Sequence, residues 1–169
     1  GDVKDARLFM NRPPDPSTPS IDGDIGTMTE AQKAQMIGRQ RNTYGMAMGD
    51  VALPLNITIK DKARSLVENG LKHRGYSISG DLNNPDRAEI VVMEFWGWST
   101  PGFVAISFEA RVSCTVDVTV GGKAHRIVVN GYGLNHGQMA SDANWQKAYS
   151  IAFEDFLAKF DAAMAAEGL

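Results

Sequence analysis

The chain of 169 residues holds one cysteine, Cys114. It has no internal disulfide partner, so a disulfide-stapled scaffold is excluded, and the redox compartment is left open. No apolar run approaches the roughly 20 residues of a membrane-spanning helix. Charge of one sign is not in excess: 17 Lys and Arg stand against 20 Asp and Glu, a formal net charge of −3. That balance gives no electrostatic footprint for nucleic acid or an anionic membrane surface. Three histidines, His73, His125 and His136, share no ligand spacing, so no zinc site is predicted. There is no Gly-x-Ser-x-Gly elbow, and no Gly-rich loop opens a helix after a strand in the manner of a phosphate or dinucleotide site. The catalytic, metal and cofactor assignments from the sequence are therefore all none, and a non-enzymatic domain is expected.

What is present is a long alternation over residues 103–120. Val104, Ile106, Phe108, Ala110, Val112, Cys114, Val116, Val118 and Val120 are apolar, and Ser107, Glu109, Arg111, Ser113, Thr115, Asp117 and Thr119 lie between them. Side chains on a strand alternate faces, so this is a strand with one dry and one wet side. A doubly wound parallel sheet, buried on both faces, is excluded. The run is long for one strand of a small domain, and a bulge or bend is expected in it. Cys114 falls on its dry phase, as a small buried hydrophobe.

Around this strand the pattern gives an order of elements. Thr58-x-x-Asp61 is close to a capping box and precedes Ala63, Leu66, Val67 and Leu71 at helical spacing, with Gly75 ending the helix. Residues 76–79 read as a short strand. Residues 88–98 are apolar on both phases and read as a central strand, closed by a turn at 99–102. Gly121-Gly122 marks a hairpin, residues 123–134 return, and the Gly-rich stretch 131–137 reads as a bend. Ser141 then caps a helix with Trp145, Ala148, Tyr149, Ala152, Phe153, Phe156, Leu157, Phe160 and Met164 on one stripe. The predicted fold is α+β: a two-layer sandwich in which a mostly antiparallel meander sheet carries two helices on one face.

The first third is looser. Residues 5–10 read as a short strand and 29–37 as a short helix capped by Thr29, while 43–50 is poorly patterned. Residues 51–55 suggest a strand that Pro54 confines to an edge or end. Residues 11–20 carry Pro13, Pro14, Pro16 and Pro19 and read as a linker or draped loop. The predicted organisation is an irregular segment 1–45 that packs on or tethers the domain, and an α+β domain at 46–169. Asp22-Gly23-Asp24-Ile25-Gly26 opens like a calcium loop, but Lys33 occupies the twelfth position, where a bidentate glutamate belongs, so a plain turn is expected.

The candidate partner-binding residues are aromatic. Phe95, Trp96 and Trp98 flank Gly97, and Phe103 follows the turn, so the rings are expected near one hairpin end, either as core or as an exposed patch. Trp96 and Trp98 share one phase and Phe95 the other, so one set meets solvent or a second layer. Glu94 is expected at a strand edge or facing solvent. The basic residues Arg39, Arg41, Lys60, Lys62, Arg64, Lys72 and Arg74 read as a solvated face, with an anion or lipid-headgroup site as the alternative.

The succession from Ala63-Arg64 through Leu71-Lys72-His73-Arg74-Gly75-Tyr76, Ala88-Glu89-Ile90-Val91-Val92, the long strand, the Gly-Gly hairpin and Gly131-Tyr132-Gly133 to Trp145 and Phe156 resembles the YajG-like family of bacterial lipoproteins over residues 50–163. The resemblance implies a secretory leader and a lipidated cysteine upstream of Gly1, and a periplasmic domain held at the outer membrane only through that anchor. It implies residues 11–20 as part of the tether, and partners that are an envelope protein or a second copy. It carries over no catalytic residue. The alternative function is a carrier of a small apolar ligand between sheet and helices.

Overall fold

The computed structural model describes residues 1–20, 27–81 and 83–169. The Asp/Gly sequence at 22–26 lies outside them. Among the described residues the chain forms β1 (Val3–Asp5), α1 (Glu30–Gln35), β2 (Met36–Arg41), β3 (Ala47–Ala52), α2 (Ile59–His73), β4 (Arg87–Pro101), β5 (Ile106–Val120), β6 (Lys123–Gly137) and α3 (Asp142–Ala166). The sheet runs β3-β2-β4-β5-β6, with β1 also paired to β4. The long strands β4, β5 and β6 form an antiparallel meander. β1 and β2 both pair with β4 in parallel, one along each half of it. The architecture is α+β, mostly antiparallel, as the alternation predicts.

β5 is the alternating strand. Phe108, Ala110, Val112, Cys114 and Val116 are fully enclosed on its dry side. The expected irregularity is not in β5 but in its partner. β4 pairs Val92 with Cys114 and Glu94 with Ser113, so Met93 is an inserted residue. An extra residue shifts every following side chain to the opposite face. Ile90 and Val92 face the helices before it, and Phe95, Gly97 and Ser99 after it, in register with Val112, Ala110 and Phe108. This is why β4 reads as apolar on both phases. The turn expected at 99–102 begins later, since β4 continues to Pro101, and β6 likewise runs straight through the predicted bend to Gly137.

Gly121 and Gly122 turn β5 into β6 with φ of 56° and 79°, the left-handed values that a two-residue hairpin needs. α2 starts with a complete capping box between Thr58 and Asp61. It ends in a Schellman motif, Tyr76 N–H to Leu71 C=O and Gly75 N–H to Lys72 C=O, made available by a positive φ at Gly75. The chain after it, residues 76–79, is not a strand. Ser141 stands at the N-cap of α3, but its hydroxyl accepts from Asn144 Nδ2 rather than from a helix amide. The α3 stripe is buried as patterned, with Ala148, Ala152, Phe156, Phe160 and Met164 fully enclosed. Burial of each aromatic ring contributes about 1.5–3 kcal/mol.

α3 lies against β6 because β6 offers it no side chains there. A Cβ at Gly133 would sit 2.0 Å from the Ala148 carbonyl oxygen, and one at Gly131 2.3 Å from that of Ala152. Their contribution is space for a helix backbone. α2 covers β1 and β4, and Gly70 in its last turns receives the Phe160 ring.

The boundary expected at residue 45 is not one. It falls in the connection between β2 and β3, which pair with each other inside the sheet. β1 is at residues 3–5 rather than 5–10, and β2, whose first two residues fall at the end of the predicted 29–37 helix, is a strand between β3 and β4. Residues 11–20 do not hang as a tether in this structure. The Met10 amide donates to the Pro19 carbonyl, closing the proline loop on itself, and Pro16 accepts from Trp96 Nε1 at 3.2 Å.

Candidate functional site: an aromatic-floored cleft

The four aromatic residues singled out by sequence are divided among three environments. Phe95 lies in the main core, stacked on Tyr149 at 5.4 Å and tilted against Phe153 at 5.9 Å. Trp96 and Trp98 point to the other face, into a second small core with Met36 that Phe9 and Met28 complete. The Phe9 ring meets Trp96 edge-on at 6.0 Å, and the Arg111 guanidinium lies over Trp98. Phe103 alone stands in solvent. The rings do not converge into one exposed patch. Strand alternation separates Phe95 from the tryptophans, the inserted Met93 turns Phe95 toward the helices, and the N-terminal segment covers the tryptophans.

Two long-range polar clamps fix the region around Phe95. Arg7 is buried where β1 ends and β2 begins. It pairs with Asp5 at 3.0 Å and donates to the carbonyls of Met36 at 2.6 Å, Lys33 at 2.5 Å and Phe95 at 3.2 Å. It thereby satisfies backbone acceptors that neither parallel strand reaches. Tyr149 donates its hydroxyl to the carbonyl of Ile37, the residue at which the β2–β3 register shifts. Burial pushes the Tyr149 hydroxyl well above its ordinary range, so it stays a donor.

Above this clamp lies a cleft of about 740 Å³. One wall is β3 and the chain after it, with Val51, Leu53 and Ile57. The other is the N-terminal half of α3, with Trp145, Tyr149 and Phe153. Ile37 and Phe95 form the floor, and half-buried Lys62 on the first turn of α2 also lines the cleft. Val51, Leu53, Ile57 and Phe153 are half-exposed, so apolar surface faces the opening. Concave, mostly apolar sites of roughly 300–1,000 Å³ with a few polar groups are the form small-molecule sites take. A second cleft, about 680 Å³, lies at the other end of β4, but Arg64, Asp86 and Arg87 on its walls are each engaged within the chain.

The outer face of the sheet is a polar ladder: Arg126 on Asp117, Arg111 on Glu94, and Tyr132 donating to Glu109 at 2.5 Å. Burial, then the Glu109 carboxylate, pushes the Tyr132 hydroxyl up to about 12. The free edge of β6 is stopped in the middle. Asp155 on α3 accepts from the Tyr132 amide at 2.9 Å, and Lys159 donates to the Asn130 carbonyl at 3.1 Å. At these two positions the edge groups a partner strand would use are occupied.

The basic residues are not one solvated face. Arg39 is buried and bonded to Asp50, and Arg74 ties α2 to Asp161 on α3 at 2.8 Å. Burial pushes the Cys114 thiol up to about 12. No group of three or more His, Cys, Asp or Glu among the described residues is arranged to hold a metal ion, and no helix among them is long and apolar enough to cross a membrane. The cleft was missed by sequence reasoning because its walls come from β2, β3, α2 and α3, and β2 carries no legible strand pattern.

No family model matches the chain, and no curated protein does. A solved structure described as "Crystal structure of uncharacterized protein" is similar at 10% identity, covering 99% of this chain and 92% of that one with a TM-score of 0.41.

Proposed function

We propose that the domain is a non-enzymatic carrier that holds a small apolar ligand between sheet and helices. The observation that carries this reading is the cleft over Phe95, Tyr149 and Phe153, with apolar side chains left half-exposed on both walls. The compartment proposed for it is the one the family resemblance implies, the bacterial envelope. Native mass spectrometry of the freshly purified protein should show a persistent extra mass. Titration with dodecanol should change tryptophan fluorescence, since Trp145 lines the cleft. A protein that carries no extra mass, and whose fluorescence and thermal midpoint ignore dodecanol, overturns the reading.

A second reading, docking on an envelope partner or on another copy, is favoured by Phe103 and Val104. Both are exposed at the β4–β5 turn. Tyr44, also exposed, is at the same end of the sheet, because β2 runs parallel to β4 with Gly38 opposite Gly97. Membrane-fraction association that is unchanged by Tyr44→Ser with Phe103→Ser would remove this second reading.

A further inference from the structure

Eight lysines occur in the chain. Six are exposed, where an ammonium needs no partner but water. Two are half-buried, Lys33 and Lys62. Lys33 pairs with Glu30 at 2.8 Å. Lys62 has no ion pair and no side-chain hydrogen bond among the described residues. It is also the lysine that lines the aromatic-floored cleft. The two carboxylates that line the same cleft do not neutralise it. Asp50 is held by Arg39 at 2.7 Å, and Asp142, in the first turn of α3, is not within ion-pair distance of it. Lys62 is thus a half-buried cation with no carboxylate on it, at a cleft whose lining is otherwise largely apolar.

Resting on the carrier reading above, we propose that the cleft takes an amphipathic molecule with one anionic head, its apolar body between Val51, Leu53, Ile57 and Phe153 and its head on the Lys62 ammonium. Long basic side chains at apolar–aqueous boundaries lay their stem on the apolar surface and keep the charge in water, which is the placement the proposal gives Lys62. Lysine is a point charge rather than a planar fork, so it suits a head that needs charge rather than two-pronged geometry. The cleft thereby distinguishes an amphipathic anion from a neutral or cationic chain of the same length.

The test is a titration of the full chain with dodecanoate, dodecanol and dodecylamine, followed by tryptophan fluorescence, in the parent and in Lys62→Ala, Lys62→Arg and Lys60→Ala. Lys60, two residues earlier, is exposed and serves as control. Dodecanoate should bind more tightly than dodecanol. Lys62→Ala should weaken dodecanoate about tenfold, the size of one charge-assisted contact, and leave dodecanol unchanged. Lys62→Arg should retain most of the affinity, and Lys60→Ala all of it. If dodecanol and dodecanoate bind alike and Lys62→Ala is silent, the anionic-head inference is overturned while the apolar cleft stands. Tighter binding of dodecylamine overturns the inference as well. If none of the three binds, the carrier reading itself fails.

Discussion

Tyr149 and Ile37, 112 residues apart in sequence, share one buried hydrogen bond from a phenol hydroxyl to a backbone carbonyl. The bond joins α3 to β2, the strand that supplies Ile37 to the cleft floor. Removing the donor strands a buried acceptor, which costs about 1–3 kcal/mol. Tyr149→Phe should lower stability by that amount in chemical denaturation and keep the Phe95 stacking, with the m-value unchanged. Stability equal to the parent's would show that the bond holds nothing.

Gly133 and Gly49 are contrasting sites for a methyl group. At Gly133 a Cβ would collide with the Ala148 and Ala152 backbone, whereas at Gly49 nothing stands within 4 Å. Gly133→Ala should destabilise by about 3 kcal/mol or more, because the colliding atoms belong to helix backbone and have no rotamer to escape into. Gly49→Ala should change stability little. Thermal midpoints of the two variants measured side by side decide the matter.

Arg7 is the buried charge that makes residues 1–20 part of the fold. Arg7→Met leaves the carbonyls of Met36, Lys33 and Phe95 without this donor and Asp5 without its cation. Breaking a buried pair in this way costs about 3–5 kcal/mol. Near-parental unfolding of Arg7→Met would mean that the N-terminal segment rests on the sheet without holding it.

Cys114 lies at the centre of β5 with its thiol pushed up to about 12 by burial. Almost no thiolate is then present at pH 8, and thiolate is the reactive form. The native protein should resist a thiol reagent at that pH and react fully in denaturant. Rapid native labelling would place Cys114 at the surface and contradict the strand's phase.

Asp155 guards the edge of β6, and its carboxyl is held below the ordinary 3.8 by the Lys159 ammonium first and then by the Tyr132 amide. A depressed folded-state value contributes stability above the ordinary one and loses it as pH falls through the folded one. The excess stability of the parent over Asp155→Asn should therefore be present at neutral pH and shrink below about pH 4. An excess that does not change with pH would mean the carboxylate charge is not what matters there. The same variant, with its edge less firmly occupied, should aggregate sooner at neutral pH in light scattering.

The sequence by itself determined the wet and dry sides of β5, the hairpin at Gly121-Gly122, both ends of α2 and the stripe of α3. Each is a short-range matter: alternation, capping and left-handed glycine are written within a few residues of one another. Gly131 and Gly133 were visible as glycines but not as a helix seat, since the atoms that require them, on Ala148 and Ala152, come from a different element. β2 escaped notice because its buried Gly38 and Arg39 take their meaning from Gly97 and Asp50, not from an alternating pattern. Alternation alone puts Phe95 on one phase and Trp96 and Trp98 on the other; only the tertiary structure decided which phase faces the helices. One inserted residue, Met93, sets the face on which each ring lies, and a bulge in β4 is defined only against its partner strand. The cleft likewise belongs to no segment: it is the space left where β3, α2 and α3 meet over Phe95, and contacts between distant elements alone fix its walls.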